Sequence, residues 1–242
     1  MLHIKCSYTG SWGNLYFINF NGIHFIIEVG VHWNKHKSEV LKSEYVFITH
    51  EHGDHCGYLK NLLQHFPLKK VFWTKGTKQG WLKKNPDMKT LLNDQTMEYG
   101  ETVVLKDQLE VTCFKSYHDT LQPSAWMFKD LKTSEVLFFI TDCGTIPKLP
   151  PLTGDEKVYC LIEGNYDQNF MIRDNVKDMR SLGPLGHLSI QDTHRFIKSN
   201  KSFKWFGLIH GSTTKLKWTS DLIFKNLKNV ERIHNGWERE FK

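Results

Sequence analysis

The segment from Tyr45 to His55 constrains the fold of this chain more than any other. It begins with Tyr45-Val46-Phe47-Ile48-Thr49, five mostly β-branched or aromatic residues that predict a short buried strand. Four potential metal ligands follow within six positions, namely His50, His52, Asp54 and His55. A loop after a strand can turn His50 and His52 toward one ion, while the residues beyond the small Gly53 reach a second ion beside it. Because such a concentration of ligands is costly to keep ordered without a metal, we predict a metal site here.

Length and composition favour one soluble globular domain. The chain has 242 residues, enough for one sizeable core, and we predict a single domain over residues 1–242. Hydrophobic residues make up 40% and charged residues 24% of the sequence, the proportions of a soluble protein. No apolar run approaches the ~20 residues that span a bilayer, so we expect no membrane segment.

The first residues and the cysteines together favour a cytoplasmic location. Residues 1–6 lead directly into an alternating, strand-like sequence, without the charged and then apolar regions of a signal peptide. The five cysteines are odd in number, scattered and without Cys-X-X-Cys spacing, which argues against a disulfide framework. We therefore expect a protein that is not secreted and that works in the reducing cytoplasm.

The charge balance leaves two interpretations of the surface open. The formal net charge is +6, from 32 Lys and Arg against 26 Asp and Glu, which somewhat favours a polyanionic partner. A lysine-rich surface that serves only solubility explains the charge equally well. The basic segments 201–204 and 215–218 have the same two readings, because Trp205 and Trp218 could stack on a single strand or belong to a solvated face.

Predicted strands and helices alternate along the chain in two halves. A tight turn at Asn21-Gly22 closes the first hairpin, and Ser189 is the N-cap of a late helix. Predicted strands cover 2–8, 15–20, 23–30, 45–49, 70–73, 101–104, 109–114, 125–128, 136–141, 158–163 and 203–209, and predicted helices cover 59–66, 75–84, the segment after Ser189 and the C-terminal segment. This order predicts an α/β fold, a four-layer αβ/βα sandwich with loops from both halves at one edge.

Three further candidate ligands each follow a predicted strand. They are His118, Asp142 and His210. Since a site for two ions needs more nitrogen and oxygen donors than the first loop supplies, we expect these side chains to complete it. We interpret Asp119 as a surface carboxylate or one that contacts a ligand, and Cys143 as a packed, buried side chain.

The spacing His-X-His-X-Asp-His after a strand resembles the signature of the metallo-β-lactamase-fold hydrolases. It stands here as His50, His52, Asp54 and His55. The resemblance implies that family's sandwich, with His118 as the third ligand of the first ion, Asp142 as the bridging carboxylate and His210 as the last ligand of the second ion. Glu28 stands where members often carry Asp-X-Gly, so it either supports the site or lies in solvent at a strand edge.

A finer resemblance, to the YycJ/WalJ-type branch, covers nearly the whole chain. Those cytoplasmic proteins are described as 5′-to-3′ DNA exonucleases and are related by motif to the tRNA 3′-processing and RNase J nucleases. The segments that carry the resemblance are Gly10-Ser11-Trp12-Gly13-Asn14, Ser116-Tyr117-His118-Asp119, Thr141-Asp142-Cys143-Gly144, Glu163-Gly164-Asn165-Tyr166-Asp167, Gly186-His187-Leu188-Ser189 and Ile209-His210-Gly211-Ser212. Tyr166 departs from the usual His, and the inserted domain with which RNase J relatives clamp RNA is absent from the sequence. The resemblance implies a nuclease.

It also implies catalysis with two divalent ions, Zn or Mn, as cofactors. Such ions, about 3.5 to 4 Å apart, activate a water and neutralise the phosphoryl oxygens. We expect Asp54 and His187 to be the catalytic residues, Asp54 also as a metal ligand and His187 as the general acid for the leaving oxygen. The acid has to be separate from the ligands, because a metal-bound imidazole cannot cycle a proton. The alternative for His187 is a surface position near a helix N-terminus.

Three functions stay open at the level of the sequence. The first is a nuclease, and the second is a phosphodiesterase for small cyclic or signalling nucleotides, which the missing clamp domain permits. The third is a metal-stabilised binding protein, against which the full ligand set and His187 argue. The expected partner is a nucleic acid or nucleotide and not a membrane, and the oligomeric state is left open, a dimer included.

Overall fold

The computed structural model describes residues 1–173, 182–217 and 219–241. The strands within these residues are β1 (Leu2–Tyr8), β2 (Leu15–Phe20), β3 (Ile23–Ile27), β4 (Tyr45–Phe47), β5 (Lys70–Trp73), β6 (Asp94–Thr96), β7 (Thr102–Leu105), β8 (Leu109–Lys115), β9 (Ser124–Asp130), β10 (Glu135–Ile140), β11 (Lys157–Glu163), β12 (Trp205–Ile209), β13 (Val230–Arg232) and β14 (Glu238–Phe241). The α-helices are α1 (Lys37–Lys42), α2 (Gly53–Cys56), α3 (Leu59–His65), α4 (Lys75–Lys84), α5 (Gln168–Arg173) and α6 (Ile190–Ser199).

The chain forms two compact units, each with its own seven-stranded sheet. Unit 1 comprises Met1–Glu101, Thr120–Ser124 and His234–Lys242, and unit 2 comprises Thr102–Asp119 and Ala125–Ile233. The predicted α/β class is confirmed by this mixture of sheets and helices. The single domain expected over 1–242 stays a prediction.

The sheet of unit 1 has the strand order β14-β1-β2-β3-β4-β5-β6. Strands β1 to β3 form an antiparallel meander, and β3 to β6 are parallel. Val46 and Val71 of the sheet pack with Val40 of α1, Leu62 of α3 and Trp81 of α4 in one buried cluster. Because parallel strands end at the same edge, the loop after β4 begins beside the ends of β3 and β5.

The sheet of unit 2 has the strand order β13-β12-β11-β10-β9-β8-β7. Strands β10, β11, β12 and β13 are parallel, and β9 pairs antiparallel with β10. Phe138, Ile162 and Leu208 from three of the parallel strands pack with Phe196 and Ile197 of α6. The carboxyl ends of β10, β11 and β12 therefore lie side by side, which places the residues after these strands at one edge.

Local signals in the sequence predicted the turns and caps well. Asn21 (φ 50°) and Gly22 (φ 91°) have the left-handed backbone of the predicted hairpin turn. The Ser189 side chain accepts a hydrogen bond from the backbone N of Asp192, at 3.0 Å, and so caps α6 as predicted. Strand β3 ends at Ile27 and not at Gly30, because Glu28 has a left-handed φ of 61°.

The predicted C-terminal helix is wrong. The region forms a short 3-10 helix, Ser220–Phe224, and then strands β13 and β14. Gly236 has a φ of 81°, which ends any helix there, and β14 pairs antiparallel with β1. The pairing satisfies the backbone groups of an edge strand, a gain that no local pattern in the sequence reveals. Within the residues described, no helix is both long and apolar enough to cross a membrane.

Candidate metal centre

Four of the predicted ligands lie on the loop and helix that follow β4 in unit 1. The His50 and His55 rings are buried, with centroids 4.0 Å apart, and the His50 and His52 rings are 4.9 Å apart. Asp54 Oδ2 lies 3.4 Å from Nε2 of His55. Helix α2 begins at Gly53, so its first turn carries Asp54 and His55 together. The loop therefore brings three imidazoles and one carboxylate together, as the sequence predicted.

Glu28, the residue after β3, contacts the residues of this loop. Its carboxylate is fully buried, and its Oε1 accepts a hydrogen bond from Thr49 Oγ1 at 2.5 Å. The same Thr49 oxygen lies 2.9 Å from Nδ1 of His50, and Glu28 Oε1 lies 3.5 Å from Nδ1 of His55. Burial raises the pKa of Glu28, although the neighbouring His55 opposes that shift. The structure thus decides between the two readings of Glu28, because a buried carboxylate against His55 is not an edge residue in solvent.

The backbone of Asp54 rests on two residues that the sequence analysis did not single out as functional. The Asn14 backbone N donates to the carbonyl oxygen of Asp54 at 2.8 Å, and Asn14 Nδ2 lies 3.3 Å from Nε2 of His55. Gly30 approaches so closely that a Cβ on it would lie 1.7 Å from the same carbonyl oxygen. The sequence shows Asn14 and Gly30 only as parts of the local patterns Gly13-Asn14 and Val29-Gly30. Their contact with Asp54 is visible only in the folded structure.

In unit 2, three side chains at or just after the ends of parallel strands form a second cluster with one side chain from the loop before α6. Asp142, Glu163, His187 and His210 each offer one ligand atom, and these atoms lie within 4.8 Å of one another. Asp142 Oδ1 lies 3.5 Å from Nδ1 of His187, and its Oδ2 lies 3.5 Å from Nε2 of His210. Asp142 and His210 also have left-handed φ angles of 47° and 52°, a strain that aims both side chains at the cluster.

His118 lies beside this cluster, three residues after the end of β8. Its Nδ1 donates to the carbonyl oxygen of Gly186 at 3.1 Å, which fixes the ring tautomer. Its Nε2 lies 3.6 Å from Oδ1 of Asp142 and 3.3 Å from Asp119. The Asp119 side chain is 47% exposed, so it is the surface carboxylate beside a candidate ligand that we expected.

Glu163 is the residue of this cluster that the sequence analysis missed. Its Oε1 lies 2.5 Å from Nδ1 of His187 and 3.4 Å from Nδ1 of His210. Its Oε2 accepts hydrogen bonds from the backbone N of Cys143 at 3.0 Å and of Leu188 at 3.3 Å. The available signal was its position at the end of β11, between the strands that lead to Asp142 and His210.

The electrostatic contacts of Glu163 and His187 favour the charged form of each side chain. Burial opposes the charge of Glu163, but the contacts with His187 and His210 outweigh it and lower the pKa of Glu163. Burial also opposes the charge of His187, but the Glu163 carboxylate outweighs it and raises the pKa of His187. Glu163 therefore orients the His187 ring and favours its protonated form, the form that a general acid needs.

Three further side chains were singled out in the sequence, namely Cys143, Trp205 and Trp218. Cys143 is buried in the core of unit 2, as expected, and burial raises the pKa of its thiol. Both readings of Trp205, stacking on a nucleic acid and a place on a solvated face, are wrong, since its side chain is only 4% exposed on β12 between β11 and β13. Trp218 lies outside the described residues.

The donor chemistry of both clusters fits divalent ions. The candidate ligands offer imidazole nitrogens and carboxylate oxygens, the atoms that Zn²⁺ binds, and the carboxylates also suit Mn²⁺. His50 and His118 each have Nδ1 in contact with a protein oxygen, an arrangement typical of metal-binding imidazoles. The structure places all seven predicted ligands, four in unit 1 and three in unit 2. Their role as ligands stays a prediction.

Comparison with known proteins identifies the class. Residues 31–203 match the family described as "Beta-lactamase superfamily domain", so this chain belongs to that superfamily, whose members are in general metal-dependent hydrolases. No curated protein matches its sequence.

Solved structures show the same fold. The metallo-β-lactamase-fold protein YhfI from Bacillus subtilis is similar with a TM-score of 0.72 and 12% identity, over 99% of this chain and 100% of that one. A diphosphatase of the PhnP family gives a TM-score of 0.70 at 12% identity, over 99% and 97%. The short form of human tRNase Z gives 0.67 at 14% identity, over 98% of each chain. The metallo-β-lactamase fold predicted from the sequence is thereby confirmed.

Proposed function

We propose that this protein is a metal-dependent phosphodiesterase, and specifically a nuclease of the 5′-to-3′ DNA exonuclease type. The observation that carries the proposal is the buried cluster of unit 2, in which Glu163 holds His187 beside the candidate ligands Asp142 and His210. A protein that only binds a metal does not need a further imidazole that a buried carboxylate orients beside the ligands. Two proteins of similar fold, a diphosphatase and a tRNase Z, give phosphate-ester chemistry as the class to test first.

Two divalent ions are the cofactors of the proposed reaction. The residues that would hold them are His50, His52, Asp54, His55, His118, Asp142 and His210. When bound, such ions supply an activated water and neutralise charge on the phosphoryl group. Asp54 is one of these ligands and also a candidate catalytic group. Its carboxylate is partly exposed, and its Oδ2 lies next to His55.

His187 is the proposed general acid. Its Nδ1 faces the Glu163 carboxylate at 2.5 Å, which leaves Nε2 as the nitrogen that donates a proton to the leaving oxygen. The side chain is 18% exposed, so it is open to a substrate on one side while the Glu163 carboxylate contacts it on the other. Glu163 is the positioning residue, because it holds the ring and stabilises the imidazolium in the way that a buried carboxylate does in a catalytic triad.

Hydrolysis of small cyclic or signalling nucleotides is the second candidate. The observation in its favour is the burial of Trp205, which removes one of the two aromatic residues with which a basic surface could have stacked on a long strand. The catalytic groups would be the same in both cases. The choice therefore depends on the substrate and not on the cluster.

A substrate panel tests the proposal. Purified protein with Mn²⁺ or Zn²⁺ is given single- and double-stranded DNA, RNA and cyclic mononucleotides, with labels at either end of each strand. We expect DNA to be shortened from the 5′ end, in wild type and in His194→Ala but not in His187→Ala. His194 is a suitable control because it also lies in unit 2, on α6, with its ring against Phe224 at 5.7 Å. Cleavage of the cyclic compounds alone would exclude the nuclease and favour the second candidate.

A further inference from the structure

Trp12 is an exception among the tryptophans of this protein. Its side chain is 84% exposed. The other described tryptophans are at most 7% exposed, namely Trp33, Trp73, Trp81, Trp126, Trp205 and Trp237. An exposed indole leaves a large apolar surface in water, and aromatic residues in such positions are enriched where proteins bind ligands.

The loop that carries Trp12 is fixed by its own hydrogen bonds. The backbone N of Gly13 donates to the carbonyl oxygen of Gly10 at 3.0 Å, and the Asn14 side chain bonds both the N and the O of Gly10. Gly10 and Gly13 have φ angles of 123° and 145°, which only glycine adopts readily. A Cβ on Gly13 would lie 2.2 Å from the Val31 side chain, so the loop packs closely on the strand end below it. The loop that exposes Trp12 to solvent is therefore ordered by its own hydrogen bonds and packing.

This loop is attached directly to the predicted metal-binding loop of the same unit. Asn14, two residues after Trp12, bonds the backbone of Asp54 at 2.8 Å and lies 3.3 Å from the His55 ring. Two residues of chain span at most about 7 Å, so the Trp12 backbone is within that distance of Asn14. Trp12 therefore lies on the segment that contacts the loop of Asp54 and His55, two of the predicted metal ligands. A second pair of exposed rings lies in the same unit, His32, the residue after Val31, and Tyr58, with centroids 5.2 Å apart.

We propose that Trp12 binds the nucleobase of the substrate by stacking, and so selects phosphodiesters that carry a planar base next to the scissile bond. The inference rests on the proposed function, because it places the base beside a phosphate held at Asp54 and His55. Stacking on an aromatic side chain accepts any base, since every base has a π-face. Trp12 therefore sets the substrate class and not the base sequence. The base can come from a small nucleotide or from the end of a single strand.

Binding of two matched ligands tests the inference without turnover. Calorimetry on the metal-loaded protein compares AMP with ribose 5-phosphate, which has the same phosphate and sugar but no base. We expect Trp12→Ala to weaken AMP binding about 5- to 100-fold and to leave ribose 5-phosphate unchanged. Trp12→Phe should recover much of the AMP affinity, because the ring and not the indole N–H does the stacking. AMP should also quench the fluorescence of wild type more than that of Trp12→Phe.

Leu68→Ala is the matched control. Leu68 is 89% exposed, but it precedes β5, and therefore lies at the opposite edge of the sheet from the loop after the parallel β4. This variant should bind AMP as wild type does. If AMP and ribose 5-phosphate bind wild type equally, or if Trp12→Ala weakens both ligands alike, Trp12 is not a base-binding residue and the inference is overturned.

Two further measurements distinguish the possible sources of the base, and distinguish failure of this inference from failure of the proposed function. If wild type binds a single-stranded octanucleotide more tightly than AMP and Trp12→Ala loses this preference, the base comes from a strand end. If Trp12→Ala weakens binding of the octanucleotide and of AMP by the same factor, the base comes from a small nucleotide. Either result supports the stacking role. Base-dependent binding through Trp12 in a protein that cleaves no phosphodiester of the panel would sink the proposed function alone. Cleavage with no base dependence would sink this inference alone.

Discussion

Oε1 of Glu163 lies 2.5 Å from Nδ1 of His187 and 3.4 Å from Nδ1 of His210. One fully buried carboxylate thus contacts both the proposed acid and a proposed metal ligand. The other oxygen of Glu163 accepts from two backbone N–H groups, those of Cys143 and Leu188. The side chain therefore connects the loops after β10 and β12 with the loop before α6.

We expect Glu163→Gln to lower turnover about 10- to 100-fold while the protein still folds. The Gln oxygen can accept from His187, but its amide group points N–H donors at the backbone N–H groups, which costs about 1–3 kcal/mol of stability. Steady-state kinetics and urea unfolding measure the two effects. Glu135→Gln is the control, because Glu135 is a buried carboxylate at the other end of β10. It should lose stability without losing turnover; equal turnover in both variants would mean that Glu163 is structural only.

His187→Ala should keep its metal content and lose about 10²- to 10⁴-fold in turnover, the usual contribution of a general acid. An activated substrate such as a nitrophenyl phosphodiester needs little protonation of its leaving group. On that substrate His187→Ala should recover much of its rate, and rates on both substrates measure this directly. A loss of the same size on both, or a loss of metal, would show that His187 is a ligand or a structural residue.

Metal analysis should find two divalent ions per chain under saturating Mn²⁺ or Zn²⁺, since seven ligands are too many for one tetrahedral site. His210→Ala should weaken one of the two ions, because it removes an imidazole that lies 3.5 Å from Asp142. His24→Ala, on β3, should still bind both. One ion per chain in wild type would mean that the second half of the predicted site is not built.

Gly30→Ala should disrupt the metal-binding loop of unit 1. An added Cβ would lie 1.7 Å from the carbonyl oxygen of Asp54 and 2.8 Å from the backbone N of Asn14, so the backbone has to move. We expect a loss of several degrees in Tm, or failure to fold, together with weaker metal binding. Gly53→Ala, where nothing lies within 4 Å of the new atom, should behave as wild type in both measurements. Equal stability of the two variants would contradict the close packing of Gly30 on Asp54.

Glu156 makes the stability of unit 2 sensitive to acid. Burial opposes its charge, but the backbone N–H groups of Thr153 and Gly154 and the Lys129 ammonium at 2.9 Å outweigh it, and the pKa of Glu156 is lowered. A carboxyl whose folded pKa lies below the unfolded value stabilises the fold fully above pH ~4.5 and loses that contribution as the pH falls through the folded pKa.

Urea unfolding from pH 7 to pH 2 should therefore show a decrease in stability below about pH 4.5 that is smaller in Glu156→Gln. The variant should be less stable than wild type at pH 7 by about 1–3 kcal/mol, the usual value of hydrogen bonds to a charged group. Glu240→Gln, on the exposed part of β14, is the control and should follow the wild-type curve. An acid profile of Glu156→Gln identical to that of wild type would show that this carboxylate is not stabilised in the fold.

Local patterns in the sequence were enough for much of the fold. The period-two alternation of β1, the turn at Asn21-Gly22 and the cap at Ser189 each depend on neighbouring residues, and all agree with the structure. The candidate metal-binding loop could be found for the same reason, since the predicted ligands on it lie within six positions. Later candidate ligands could be found because each follows a strand.

What only the tertiary structure decided depends on contacts between distant parts of the chain. Glu28 and Glu163 had no local signal that separates a buried carboxylate from an exposed one, and the burial of Trp205 depends on the strands beside it. The C-terminal strand β14 exists because β1 offers an open edge more than 230 residues earlier. The sequence by itself therefore determined the class of fold and the position of the first candidate metal-binding loop. The tertiary structure decided which carboxylates support the imidazoles, because burial and charge at these positions are properties of the packed sheets and not of any single segment.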